Sequence, residues 1–169
     1  FRSDLPLDLL KKLEALCRSE PISTPSNEAP RLMAEAITLL DAAAPIEAEW
    51  QGPIFKLGDM RAPENTAETR SITPENAWML EAGMPDWLPD VPHRAPFLAA
   101  VMTDRVVAVC ASVRITNHVH EAGVETWEKF RRRGFARDAV TAWAKAVHAT
   151  GALPIYSTSW DNAASQGVA

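Results

Sequence analysis

Hydrophobic residues follow two rhythms along this chain, one helical and one strand-like. Over residues 5–17 (LPLDLLKKLEALC) they recur at Leu7, Leu10, Leu13 and Leu16, and residues 30–42 (PRLMAEAITLLDA) form a second apolar stretch, so both predict amphipathic helices. Between them, 19–27 is a Pro/Ser-rich loop. Residues 46–57 (IEAEWQGPIFKL) are strand-like but broken at Gly52-Pro53, and 61–66 is polar linker. From Ala67 the pattern sharpens. Residues 68–72 alternate like a short strand, and Thr73-Pro74-Glu75-Asn76 predicts a helix N-capped by Thr73 that runs through Leu80 and ends near Gly83. After turn-rich 86–96, the apolar runs 97–102 and 106–115, joined by Thr103-Asp104-Arg105, predict a hairpin. Residues 122–127 (AGVETW) read as a third strand. Ala136, Val140, Trp143 and Val147 then share one face of a helix over 134–148 that Gly151 ends; 153–159 is again strand-like, and Asp161-Asn162 caps a last helix.

Strand, helix, three strands, helix, strand, helix predicts a mixed, mostly antiparallel sheet flanked by helices, and a purely parallel fold does not fit. The punctuation divides the chain as well: twelve of 13 prolines lie at or before Pro96. Residues 1–66 are therefore expected as a helical, Pro-rich extension to a core over 67–169. At 169 residues and 47% hydrophobic the chain predicts one ordinary domain with a small appendage, not a disordered segment. Its apolar runs are too short to cross a bilayer. A net charge of -5 argues against a general nucleic-acid binder, since that affinity comes from neutralising phosphates. Cys17 and Cys110 stand far apart without CxxC spacing, which predicts reduced thiols in a cytoplasmic protein and no zinc site. The start at Phe1-Arg2-Ser3 carries no signal-peptide core and reads as trimmed.

One stretch concentrates the charge. Lys129-Phe130-Arg131-Arg132-Arg133-Gly134-Phe135-Ala136-Arg137 holds five of the 17 basic residues in nine positions, between a strand and a helix. Unpaired N–H groups and the positive dipole end make a helix start a phosphate site; Gly134 allows close approach, and the arginines add charge. A solvated basic helix end is the other reading of these residues alone. Neither G-x-x-x-x-G-K-[ST] nor G-x-G-x-x-G occurs, which argues against P-loop and dinucleotide chemistry.

Arg131 to Ala136 matches the R/Q-x-x-G-x-G/A signature, and with its flanks the chain resembles the GNAT superfamily of N-acetyltransferases. Val124-Glu125-Thr126-Trp127 is similar to the strand before that loop, 139–147 to the helix after it, and 155–165 (IYSTSWDNAAS) to the next strand and the Asn-x-x-Ser/Ala helix start. Ile72-Thr73-Pro74-Glu75-Asn76 is similar to the opening strand-to-helix junction. The resemblance covers about 67–169, and it implies acetyl-coenzyme A as co-substrate and no metal. By it, the backbone around Val124, Glu125 and Thr126 pairs with the pantetheine arm, and Arg131, Arg132, Arg133, Gly134, Phe135 and Ala136 hold the pyrophosphate. Asn162 and Ser165 contact the cofactor from the far side, where two strands splay apart; helix capping is an equal alternative for Asn162. Glu125 becomes the candidate general base, with Glu121 in reserve; the alternative is a surface carboxylate or an ion pair with one of the nearby arginines.

The family's tyrosine seven residues beyond Asn162 would fall on Ala169, so the general acid is vacant. Tyr156, the single tyrosine, is the candidate, though one strand aromatic more often packs in a core. His118 and His120 read as exposed loop residues, the six tryptophans mostly as core or cleft walls, and Trp87 as lining an acceptor pocket. By the resemblance, the expected function is direct acetyl transfer to a small-molecule or peptide amine in a ternary complex. A homodimer is among the expected assemblies; the chain also reads as ending before the family's closing strands, which complete the sheet and often the acceptor site or a dimer interface. The alternatives are an acyl-coenzyme A sensor without turnover, another acyl donor, or an arginine patch that docks an acidic protein.

Overall fold

The computed structural model describes residues 5–21, 30–58 and 67–169. These form two compact units, Phe1–Trp50 and Gln51–Ala169. The first holds helices α1 (Leu7–Ser19) and α2 (Met33–Asp41), which pack on each other. The Glu20 carboxylate accepts the N–H groups of Arg31 and Leu32, each at 2.8 Å, and so serves donors that the start of α2 leaves unpaired.

The second unit is a six-stranded sheet of β1 (Ile54–Lys56), β2 (Glu68–Ser71), β3 (Phe97–Met102), β4 (Arg105–Ile115), β5 (Val119–Thr126) and β6 (Leu153–Ser157), in the order β1-β6-β5-β4-β3-β2. All neighbours are antiparallel except β5 and β6, so the sheet is mixed and mostly antiparallel, as its sequence predicts. Thr103 and Asp104 turn the β3–β4 hairpin with φ of 47° and 59°, the left-handed pair whose twist suits a two-residue loop.

Alternation sorts the strand residues onto two faces. Helix α3 (Phe135–Ala149) covers one, setting Val140, Trp143 and Val147 against Ala108, Cys110, Ala122 and Tyr156. On the other, the 3-10 segments Ala77–Leu80 and Pro85–Asp90 set Leu80, Met84 and Val91 against Phe97, Ala99, Val109 and Ala111. Of the strand-like 46–57, only Ile54–Lys56 is a strand, and it pairs with β6 at the sheet edge. Gly52 permits this approach, since a Cβ there would lie 1.6 Å from the Thr158 carbonyl oxygen.

Three expectations need correction. The helix expected from Thr73 to near Gly83 is only the 3-10 segment Ala77–Leu80, because Asn76 Oδ1 accepts the Thr73 N–H at 2.7 Å while its Nδ2 donates to Ser71 O at 2.9 Å. That side chain closes a turn where the N-cap was expected. His120 is no exposed loop residue. It is 8% exposed on the α3 face of β5, with Nδ1 2.9 Å from Ser112 Oγ, which also accepts the Trp143 indole N–H at 3.0 Å. Of the six tryptophans, Trp50, Trp78 and Trp160 are exposed, and Trp143 alone is fully buried. No described helix is long and apolar enough to cross a membrane.

Candidate functional site

Pairing between β5 and β6 stops early. Val119, His120 and Glu121 face Leu153, Pro154 and Ile155, but β5 runs on to Thr126 with only β4 beside it. A parallel pair that separates part-way leaves a backbone edge unused, and that edge opens into a cleft of about 1050 Å³ lined by Val124, Glu125 and Thr126. The cleft continues along Glu128, Phe130, Arg131, Arg132, Gly134, Phe135, Ala136 and Arg137, then returns by Tyr156, Asn162, Ala164, Ser165, Gly167 and Val168.

The turn into α3 is built for close approach. Gly134 takes φ 85°, open at little cost to glycine, and Arg132 sits at φ 59°. The Asp138 N–H bonds back to the Gly134 carbonyl at 3.2 Å, so the N–H groups of Phe135, Ala136 and Arg137 have no intrahelical acceptor. Arg131 donates Nε to Thr126 O at 3.3 Å, tying the turn to the end of β5. Arg133 departs from the expected set: its guanidinium lies over the rings of Phe130 and Phe135, 5.5 and 5.3 Å from their centroids, and it does not line the cleft. Arg137, not singled out by the signature, lines it instead. Counting along the helix could have found it, because only three positions separate it from Gly134.

Across the cleft, α4 (Ala163–Gln166) begins at Asn162, whose Oδ1 accepts the Ser165 N–H at 3.0 Å. Asn162 therefore caps this helix and also faces the cleft. Tyr156 divides its side chain between core and cleft: the residue is 5% exposed among the α3-face apolar groups, yet its hydroxyl lies 2.6 Å from Ser165 Oγ. Burial pushes the phenol above its ordinary value, although the Ser165 bond pulls it down and Cys110 adds a small upward push. Such a phenol keeps its proton at neutral pH.

The two β5 glutamates differ in what they have left to offer. Glu121, the reserve base, is engaged at both oxygens: Oε2 by Arg114 at 2.6 Å and Oε1 by the Ser157 hydroxyl. Glu125 lies at the cleft, and one oxygen, Oε2, accepts the Trp87 indole N–H at 2.6 Å. Groups of three or more His, Cys, Asp or Glu able to hold a metal are absent among the described residues.

A mixed sheet, a splayed β5–β6 pair and a basic turn into α3 define the architecture around the cleft, and comparison with known proteins finds the same fold. Residues 97–169 match the family model described as GNAT acetyltransferase. Among solved structures, the chain is similar to an acetyltransferase of the GNAT family from Colwellia psychrerythraea, at 14% identity and a TM-score of 0.55 over 71% of this chain and 50% of that one. It is also similar to a GCN5-related N-acetyltransferase-like protein from Streptococcus suis 89/1591, at 17% identity and a TM-score of 0.51, covering 63% of this chain and 45% of the other. At such identities the likeness shows the fold, and the chain spans about half the length of these structures. No curated protein matches it.

Proposed function

We propose that the chain transfers an acetyl group from acetyl-coenzyme A directly to an amine, small-molecule or peptide, in a ternary complex. The observation that carries this reading is the continuous surface formed by the free β5 edge, the 131–136 turn and the open start of α3. A diphosphate needs unpaired N–H donors and positive charge; an amide-bearing arm needs an unpaired strand edge. The cleft offers both in sequence. Acetyl-coenzyme A supplies a thioester whose acyl carbon is open to attack by an amine. In this reading the first turn of α3 with Arg131, Arg132 and Arg137 binds phosphate, and the β5 edge aligns the acyl end beside Glu125.

Glu125 then takes the proton of the attacking amine, directly or through a water, with the carboxylate oxygen that Trp87 leaves free. Tyr156 gives its phenolic proton to the departing thiolate and regains one through Ser165. This assignment fills the role left vacant by Ala169. Holding amine and thioester side by side supplies much of the acceleration.

Calorimetric titration with acetyl-coenzyme A, beside ATP and NAD, tests the binding half. Selective micromolar affinity, about -8 kcal/mol, is expected. No binding would overturn the reading. An amine panel followed by thiol release then tests transfer, where Glu125→Gln should lower kcat about 100-fold or more while leaving acetyl-coenzyme A affinity within about twofold. Tight binding without thiol release from any amine would instead favour the acyl-coenzyme A sensor.

A further inference from the structure

On the assignment of Glu125 as base rests a second one: we infer that Trp87 is a positioning residue, which fixes the Glu125 carboxylate and ties its direction to the rigid segment Pro85–Asp90. The two residues stand 38 positions apart and meet at 2.6 Å through indole Nε1–H and carboxylate Oε2. A bond from N–H to a charged oxygen is stronger than a neutral one, and it selects one carboxylate orientation out of many for an otherwise exposed side chain.

Trp87 can do this because it is itself immobilised. Prolines 85 and 89 restrict the segment that carries it, and its N–H bonds to Met84 O at 3.2 Å beside the buried Met84 side chain. The ring meets Phe97 edge-on, with centroids 5.6 Å apart and planes at 75°. It lies across β5 where Gly123 leaves room: a Cβ there would come within 3.1 Å of Trp87 Cη2. An ordinary half-buried indole needs only some acceptor. Here the acceptor is the one β5 glutamate that keeps an unengaged oxygen among the described residues, since Glu121 spends both on Arg114 and Ser157. Trp87 thus holds Oε2 and leaves Oε1 to meet the amine.

The test compares Trp87→Phe, which keeps a ring against Phe97 but lacks the donor, with Glu125→Gln and the double variant, all in the full chain. Trp87→Phe should lower kcat about tenfold with KM for acetyl-coenzyme A unchanged, and in the Glu125→Gln background it should cost less than about twofold. Equal losses in both backgrounds would overturn the positioning role, because a purely structural effect is blind to the residue at 125. A second readout needs no turnover. In a 15N,13C-labelled sample of the wild type, the Trp87 indole N–H resonance, assigned through its own bonded nuclei, should shift in Glu125→Gln; an unmoved resonance overturns the inference even if Trp87→Phe fails to fold. The two failures are separable: absence of thiol release by the wild type rejects the acetyltransferase reading, while the resonance still decides whether Trp87 holds Glu125.

Discussion

The two faces of the sheet are closed by different means. On one, a regular helix of 15 residues buries Val140, Trp143 and Val147 and presents its open N-terminus to the cleft. On the other, short 3-10 turns press Trp87 and Trp127 onto the strands, into room left by two glycines: a Cβ at Gly83 would lie 2.6 Å from the Trp127 ring, and one at Gly123 would lie 2.2 Å from Val113 Cγ1. On the proposed reading, the helical face would bind through backbone donors and charge, which tolerate change in neighbouring side chains. The turn face depends on side-chain fit, which does not. The proposed cofactor recognition and acceptor-side geometry would therefore rest on separate foundations, and substitutions should affect one without the other.

The largest break is expected at Gly134. Its φ of 85° strains any L residue, and aspartate would add a negative charge where phosphate should sit. Gly134→Asp should weaken acetyl-coenzyme A binding by about 100-fold or more, close to 2.7 kcal/mol, while the turn face keeps its packing; calorimetry beside the near-ultraviolet circular dichroism of the tryptophans would show both. Gly123→Val is the converse experiment. Val113 Cγ1 is the end of a short branched side chain with little room to yield, so overpacking should cost about 1–3 kcal/mol in urea unfolding and displace Trp87. Acetyl-coenzyme A affinity should change far less than kcat.

Much of the helical face was legible in sequence because its signals are local. The 3.6-residue spacing of Ala136, Val140, Trp143 and Val147 and the run Arg131 to Ala136 each lie within a few residues of the element they build. The Thr103-Asp104 turn was legible for the same reason. What escaped depends on distant partners. Nothing near Glu125 announces Trp87, and nothing near residues 54–56 announces that they pair with β6 a hundred positions on. At Asn76, a side chain able to close a turn outcompeted the helix expected from Thr73 through Leu80, of which only the 3-10 segment Ala77–Leu80 forms. His120 is the instructive miss. Starting β5 at Val119 instead of Ala122 puts His120 in alternation with Ala122 and Val124 on the α3 face, so the signal was present and the strand boundary hid it.

That histidine gives the helical face a pH dependence. Trp143 donates to Ser112 Oγ, so the serine proton is free to reach His120 Nδ1 and the imidazole carries its own proton on Nε2. Burial lowers the His120 pKa below its ordinary 6.5, meaning that the folded protein resists taking the second proton. The unfolded chain accepts it near 6.5. Stability from this group is therefore complete above that value and falls as pH drops below it, by at most about 1.4 kcal/mol per pH unit. Urea unfolding of the wild type from pH 7.5 to 5 should show this loss relative to His120→Gln, in which no group titrates there.

The smallest expected effect separates charge from contact within the arginine run. Arg131 and Arg132 line the cleft, whereas Arg133 lies over Phe130 and Phe135. Arg133→Ala should therefore leave acetyl-coenzyme A affinity within about twofold and remove a cation–π contribution of about 0.5–1 kcal/mol from stability. Arg132→Ala should do the reverse. The net charge lost is the same in both variants, so a simple long-range field would weaken binding equally. A tenfold or greater loss in Arg133→Ala, measured by calorimetry at two salt concentrations, would show that the phosphate end works as a diffuse positive patch, and the contrast between a backbone-and-contact face and a side-chain-fit face would have to be redrawn.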